Sequence, residues 1–281
     1  MTTAIESMGQ DAVSCCSTFY EQDWVRDLAD DIFHPGGADL TRRTIAAMDL
    51  PTHATVADLG CGTGTTALML ARDFNLQVSG VDLSATNIER AIERTDTNSA
   101  AVRFIQADAQ KLPFEDNEFD GILAECSFSL FADKAAVLAE IKRVLKPGGR
   151  LAITDMAIGG PLPAEIAEVI SPWTCLVDAM DRQNYAQGFA AAGFTIQVFA
   201  DESAGLTNLI QQLKRKLLLL GAGSVLAANS MPTFDLGTIK YWLDRFQAEV
   251  EKGSIRYLRF NLRSGAGVVD VPRPPGGALE N

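Results

Sequence analysis

Three glycines and two aspartates between residues 58 and 82 have the residue types and spacing of a site for a nucleoside-bearing ligand. The stretch VADLGCGTGTT places Asp58 just inside an apolar run and follows it with Gly60, Gly62 and Gly64. Glycines between a strand and a helix allow a sharp turn and a close approach of the backbone to a ligand at the helix N-terminus. Asp82 ends the next apolar run, where a carboxylate can accept hydrogen bonds from both hydroxyls of an unphosphorylated ribose.

The glycine spacing separates this loop from a dinucleotide site. Nicotinamide and flavin dinucleotide folds use G-x-G-x-x-G at the same place, whereas this loop reads G-x-G-x-G. A nicotinamide oxidoreductase therefore fits the sequence poorly, although a purely structural role of the glycines in strand-to-helix packing stays open. Cys61, between the first two glycines, is expected to serve packing because a small residue suffices there.

Cysteines are the second group of residues with chemical potential. Of the five in the chain, Cys126 follows Glu125 at the end of an apolar run, Cys175 lies in SPWTCLVDAM, and Cys15 and Cys16 precede FYEQDWV. Three separate segments can thus bring thiols to one pocket, and thiolates are natural ligands for a soft, thiophilic centre. The alternative is that these cysteines are ordinary buried small residues.

The elements that must position these residues alternate along the chain. Apolar runs suited to buried strands occupy residues 56–59, 77–82, 102–106, 119–124 and 150–155. Helical patterns lie between them at residues 65–74, 84–95 and 134–145, with Ser84 and Asp133 as N-caps. Such alternation with short connections predicts a doubly wound, mostly parallel sheet with helices on both faces and a ligand at the carboxyl ends of its strands.

The pattern changes after the fifth strand. Helices are expected from about Pro163 and Asp181, followed by a sixth strand at residues 194–200. Residues 203–253 look like inserted helices, and residues 255–262 alternate like a late edge strand, which makes seven strands in all. We expect four parts: an N-terminal helical lid at residues 1–50, a ligand-binding core at residues 51–202, a helical insertion with the final edge strand at residues 203–263, and a disordered tail at residues 264–281.

The order of the motifs resembles that of class I S-adenosylmethionine-dependent methyltransferases. DLGCGTG, GVDLS, ADAQKLPFEDNEFD and RVLKPGGRL look like the successive motifs of that family and cover residues 54–156. The resemblance implies a Rossmann-like fold, S-adenosyl-L-methionine as the cofactor, and transfer of a methyl group to a small acceptor.

The resemblance also implies a role for each matching position. Asp58 and the loop Gly60, Cys61, Gly62, Thr63 and Gly64 would frame the methionine end of the cofactor. Asp82 would bind the ribose, Leu83 would pack on the adenine ring, and Asp108 and the Ala109 backbone would face the adenine. Glu125 sits where the family meets the methionine amino group or the acceptor.

The placement of the cysteines is similar to that of one subfamily, the arsenite methyltransferases. This similarity implies that Cys126, Cys175 and Glu125 are catalytic, that Cys15, Cys16, Cys126 and Cys175 are candidate arsenic(III) ligands, and that a thiol reductant takes part. The sequence departs from the subfamily at FHPGGADLT, which lacks the cysteine found there. The competing interpretation is an O-, N- or C-methyltransferase of a small organic metabolite such as a quinone, lipid or natural product.

Composition narrows the remaining classes of function. The net charge of -12 and pI of about 4.6 are unsuited to neutralising phosphates, so nucleic acid is not an expected partner. There is no apolar run of about 18 residues, and MTTAIESMGQ lacks a signal pattern, so a membrane is unexpected and the cytoplasm is the predicted compartment.

His34 is either a general base or, as we favour, a loop anchor. A non-catalytic cofactor-binding partner that docks through residues 203–263 is a further hypothesis.

Overall fold

The computed structural model describes residues 34–95, 101–170, 174–176, 178–222 and 236–265. One sheet runs through these ranges in the order β3-β2-β1-β4-β5-β7-β6. Its strands are β1 (Thr55–Leu59), β2 (Gln77–Asp82), β3 (Val102–Gln106), β4 (Phe119–Glu125), β5 (Leu145–Ile158), β6 (Phe194–Asp201) and β7 (Ile255–Ser264). Strands β1 to β5 pair in parallel, and β7 is antiparallel to both of its neighbours.

The helices follow the predicted alternation. They are α1 (Gly37–Ala46), α2 (Thr65–Phe74), α3 (Ala85–Glu93), α4 (Lys134–Val144), α5 (Arg182–Ala191), α6 (Ser203–Ala222) and α7 (Leu236–Lys252). The side chains of Ser84, Asp133 and Asp181 each accept a hydrogen bond from the backbone N–H three residues later and so cap α3, α4 and α5. The doubly wound, mostly parallel α/β fold with a helical insertion before the last strand is confirmed.

The last strand corrects one prediction. Residues 255–262 were expected at an edge of the sheet, yet β7 lies between β5 and β6 and pairs with both. Most of its side chains are buried, because α6 and α7 pack against it and strands flank it on each side. The alternation of apolar and polar residues indicates which side chains are buried, but it does not indicate how many strands pair with this one.

Other predictions meet the limits of the described residues. The helix expected from about Pro163 begins at residue 164, is π-helical over Ile166–Ile170, and is followed by residues 171–173, which are not described. The segment 1–33, most of the predicted lid, and the segment 266–281, most of the predicted tail, lie outside the described residues. The domain division therefore stays a prediction. Among the described helices, none has the length and apolar content needed to cross a bilayer.

The insertion helices cover a separate part of the core. We call this part the insertion-side cluster; its buried members are Leu40, Met156, Ile166, Cys175, Leu176, Leu206, Ile210, Phe246, Val250, Ile255 and Tyr257. It joins α1, β5, α6, α7 and β7, and the partly buried Cys126 at the end of β4 packs against it. The cluster therefore lies at the same sheet edge as the carboxyl ends of β4 and β5.

A carboxyl group is buried on β5. Asp155 is fully buried and accepts hydrogen bonds from the backbone N–H of Ser129 and, at 2.9 Å, from its hydroxyl. The hydroxyl of Tyr185 lies 3.4 Å from the same carboxyl group. Burial, and secondarily the neighbouring Cys175, raises the pKa of Asp155 to about 8.

Because of this carboxyl group, we expect the stability of the fold to fall between about pH 4 and pH 8. The unfolded chain loses the Asp155 proton near pH 4, whereas the folded chain holds it up to about pH 8. The contribution of this group to the free energy of unfolding is therefore fully present below about pH 4 and declines as the pH rises through this window. One such group contributes a slope of at most about 1.4 kcal/mol per pH unit. Urea unfolding of Asp155→Asn, which has no titrating proton, should give a flatter profile from pH 5 to pH 8 than the wild type. Parallel profiles of the two proteins would contradict this account.

Candidate active site

The glycine loop crosses from β1 to α2 with a left-handed backbone at each of its three glycines. The φ angles of Gly60, Gly62 and Gly64 are 74°, 53° and 80°, a region that residues with a side chain rarely adopt. The N–H groups of Gly60 and Cys61 donate to the carbonyl of Val81 at 2.8 and 3.0 Å. The loop is therefore fixed to the end of β2 by its own backbone.

The surroundings of the three glycines differ. A Cβ atom on Gly60 would lie 2.5 Å from the Cβ atom of Ser127, and one on Gly64 would lie 2.5 Å from the ring of Phe104. A Cβ atom on Gly62 would meet no atom within 4 Å among the described residues. Gly60 and Gly64 thus serve close packing, whereas Gly62 faces open space beside the N-terminus of α2, as a ligand cradle requires.

Asp82 is oriented toward this loop by backbone donors. Its carboxylate accepts hydrogen bonds from the N–H groups of Gly62 at 2.8 Å and Ser84 at 2.9 Å. The side-chain amide of Asn87 lies 3.4 Å away. The next residue, Leu83, leaves 63% of its surface exposed. An apolar side chain so exposed, beside a fixed carboxylate, gives a surface on which a planar ring can stack.

The end of β3 brings the next predicted residues alongside. The N–H of Ala107 donates to the carbonyl of Asp82 at 3.0 Å and ties the ends of β2 and β3 together. Asp108 is exposed and accepts a hydrogen bond from the N–H of Gln110 at 2.8 Å, while Ala109 is buried in the core. The structure therefore places Asp108 next along the sheet edge from Asp82, in the predicted order.

Asp58 is a buried carboxyl group inside the same site. It is 2% exposed, and its Oδ2 atom has no hydrogen-bond partner among the described residues. Burial, followed by the charges of Glu125 and Asp82, raises its pKa well above the usual range, and a hydrogen bond from the N–H of Ala67 opposes this only in part. Asp82 and Glu125, at the ends of β2 and β4, thus lie near enough to Asp58, at the penultimate position of β1, for their charges to act on it. This arrangement favours a positively charged ligand.

Glu125 is held by two hydroxyl groups that the sequence did not single out, and it also contacts His34. The hydroxyl of Thr41 on α1 lies 3.0 and 2.9 Å from its two carboxylate oxygens, and that of Thr66 on α2 lies 3.2 Å from Oε2. His34 places Nε2 3.4 Å from the carboxylate, and the two side chains are 11% and 4% exposed. No spacing rule links Thr41 or Thr66 to Glu125, because these contacts arise only when the helices dock on the sheet.

The structure brings two of the predicted thiols together. The sulfur atoms of Cys126 and Cys175 lie 3.2 Å apart. Cys61 packs against Gly80 instead, and burial raises the pKa of its thiol far above the usual range. Cys15 and Cys16 lie outside the described residues. Within the described ranges, no three His, Cys, Asp or Glu side chains are grouped so as to hold a metal ion.

Comparisons with known proteins identify the family. The family model "Methyltransferase domain" matches residues 51–193. O-methyltransferase cnsE of Penicillium expansum is 34% identical over 192 residues, which are 66% of this chain and 68% of that protein. Phosphoethanolamine N-methyltransferase 1 of Arabidopsis thaliana is 34% identical over 183 residues, but the match spans 65% of this chain and only 36% of the plant protein.

A solved structure shares the fold. Phosphoethanolamine N-methyltransferase 2 of Haemonchus contortus, in complex with phosphomonomethylethanolamine and S-adenosylhomocysteine, superposes with a TM-score of 0.75 at 20% identity, covering 89% of this chain and 57% of that one. The match in sequence covers the glycine loop, Asp82, Asp108 and Glu125. The chain belongs to the methyltransferase domain family, and its motif order and sheet topology are those of the class I S-adenosylmethionine-dependent group expected from its sequence.

Proposed function

We propose that the protein transfers a methyl group from S-adenosyl-L-methionine to an oxygen or nitrogen atom of a small organic acceptor. The observation that carries this proposal is the open space at Gly62 beside the fixed carboxylate of Asp82, in a chain of the methyltransferase family. When bound, the cofactor supplies an activated methyl group on a positively charged sulfur atom.

The residues around the loop suit each part of this cofactor. Glu125 provides negative charge for the methionine amino group, and the unpartnered Oδ2 of Asp58 can accept a hydrogen bond. A positively charged sulfur atom nearby would favour the ionised form of Asp58. Asp82 can accept from the ribose hydroxyls without reorientation, because Gly62 and Ser84 already hold its carboxylate. Leu83 and Asp108 offer an apolar face and an exposed acceptor for the adenine ring and its amino group.

The transfer demands orientation and exclusion of water more than acid–base strength from the protein. An acceptor hydroxyl or amine must still lose a proton, which requires a base within hydrogen-bond reach. We assign this role to His34, in place of the loop-anchor role favoured from the sequence, because its Nε2 atom lies 3.4 Å from Glu125 and 3.3 Å from the hydroxyl of Thr41. Glu125 would orient the imidazole and stabilise it once protonated, as a carboxylate does for a catalytic histidine.

The relatives and the two neighbouring thiols point to different classes of methyl acceptor. The relatives are named for O-methylation and for N-methylation of phosphoethanolamine. A thiol-bound metalloid such as arsenite is the second candidate, favoured by the 3.2 Å separation of the Cys126 and Cys175 sulfur atoms. Arsenite finds no support among the relatives, so we favour the organic acceptor.

The first test is a screen for product. Labelled S-adenosyl-L-methionine is incubated with a panel of phenols, primary amines and phosphoethanolamine, and with arsenite plus a thiol reductant. We expect a labelled organic product and no methylated arsenic. Methylated arsenic as the sole product would overturn the acceptor class. Calorimetry on the same preparation separates an unsuitable panel from failure to bind the cofactor, and the latter would end the proposal.

Substitution of His34 tests the base. Once an acceptor is found, His34→Gln should lower kcat by about 100-fold and should remove the pH-dependent limb due to imidazole, because glutamine cannot take up the proton. The affinity for S-adenosyl-L-methionine, measured by calorimetry, should change little. An unaltered pH profile of kcat would exclude His34 as the base.

A matched pair of glycine variants tests the cradle. Gly62→Ala should fold with a modest cost of about 1 kcal/mol for its left-handed backbone, but its methyl group fills the ligand space, so affinity for the cofactor should fall at least about tenfold. Gly60→Ala should instead lower the melting temperature more, because its Cβ atom meets Ser127 at 2.5 Å. Thermal unfolding and calorimetry of both variants provide the comparison. Equal affinity of Gly62→Ala and the wild type would show that the cofactor does not occupy this turn.

A further inference from the structure

We propose that Cys126 and Cys175 form a reversible disulfide by exchange with a low-molecular-weight disulfide of the glutathione type. The bond would tie the carboxyl end of β4 to the segment at residues 174–176 and make the site sensitive to thiol redox state. Formation of this bond is independent of the methyl acceptor, whereas its effect on catalysis rests on the proposed function.

The distance between the two thiols is the first argument. The sulfur atoms lie 3.2 Å apart, and the thiol of Cys175 also donates to the backbone carbonyl of Cys126 at 3.1 Å. A disulfide has a sulfur–sulfur distance of about 2.05 Å, so the two groups need to approach by only about 1 Å. The two residues are 49 positions apart in sequence, which means that the tertiary fold, and not local geometry, brings them together.

The backbone at Cys126 is the second argument. Its φ angle is 52°, a left-handed conformation that costs a residue with a side chain on the order of 1–2 kcal/mol. The N–H of Cys126 donates to the carbonyl of Thr154 at 2.7 Å, and the following residue, Ser127, donates its hydroxyl to the carbonyl of Leu59 at 2.8 Å. These bonds hold the turn, and such held strain is concentrated at functional positions.

The unequal exposure of the two thiols assigns their roles. Cys126 is partly exposed, whereas Cys175 is 3% exposed within the insertion-side cluster. The thiolate of Cys126 attacks one sulfur of the small disulfide, the sulfur–sulfur bond of that disulfide breaks, and one glutathione thiolate leaves. Cys175 then attacks the Cys126 sulfur, and the second glutathione leaves as a thiolate; the two departing thiolates take up the protons that Cys126 and Cys175 lose. Two protein thiols are oxidised and one small disulfide is reduced to two thiols.

The position of the bond gives it a functional consequence. Cys126 directly follows Glu125, whose carboxylate contacts Thr41, Thr66 and His34. Cys175 lies among the residues that join α6, α7 and β7. Closing the bond therefore shifts the end of β4 against the insertion side, and it should slow methyl transfer through the proposed function of this site.

Peptide mapping of the full-length wild type tests bond formation. Trypsin releases Cys126 in the peptide 112–134 and Cys175 in the peptide 151–182, and each peptide holds a single cysteine. After equilibration with mixtures of oxidised and reduced glutathione, we expect these peptides to be joined, with the mass of their sum less two hydrogen atoms, and to separate with dithiothreitol. Both thiols remaining open to alkylation, a stable glutathione adduct on Cys126 alone, or links only to Cys15 or Cys16 would each overturn the proposal.

Activity measurements test the consequence. The wild type should lose about fivefold or more of its methyl transfer on oxidation and recover it with dithiothreitol. Cys126→Ala and Cys175→Ala, each compared with its own reduced form, should lose less than about twofold. Both variants keep Cys15, Cys16 and Cys61, so an equal loss in them would assign the inhibition elsewhere and refute the regulatory role. If no acceptor is found, peptide mapping still decides whether the bond forms.

Discussion

The burial of Asp58 beside two further carboxyl groups is the constraint on which the site depends. Asp82 and Glu125 end β2 and β4, Asp58 is the penultimate residue of β1, and parallel strands bring their carboxyl ends to one edge of the sheet. Charges so close together in a partly dry pocket are costly unless each is neutralised or hydrogen-bonded. The surrounding structure meets this demand differently at each residue.

Asp82 accepts hydrogen bonds from two backbone N–H groups, and Glu125 accepts them from hydroxyl groups on two different helices. Asp58 has the smallest compensation, and its pKa is raised accordingly. A cationic ligand would complete the balance, because it favours the ionised form of Asp58. The left-handed glycines are needed for the same reason, since only they let the backbone of the loop reach the Asp82 carboxylate and leave room beside it.

Local patterns were enough to predict the parts of the site that lie within one strand–turn–helix unit. The glycine loop, Asp82 and the Ser84 cap each depend on neighbours within a few residues, so spacing alone specifies them. The contact between Thr41 and Glu125 joins residues 84 positions apart, and nothing in either segment encodes the partner. The place of β7 was missed for a related reason, because alternation describes the faces of a strand and not the two edges along which it pairs.

The antiparallel strand β7 also separates two tasks within one molecule. Under the proposed function, the cofactor side is built from β1 to β4 and their connections. The helices α6 and α7, which lie between β6 and β7 in the chain, pack on β7 and supply much of the insertion-side cluster. A long hairpin pinned at both ends to the sheet can vary in length and side chains without altering the register of the parallel strands. Under the proposed function, selection for a different acceptor can therefore act on this excursion while the proposed nucleoside-binding half is inherited intact.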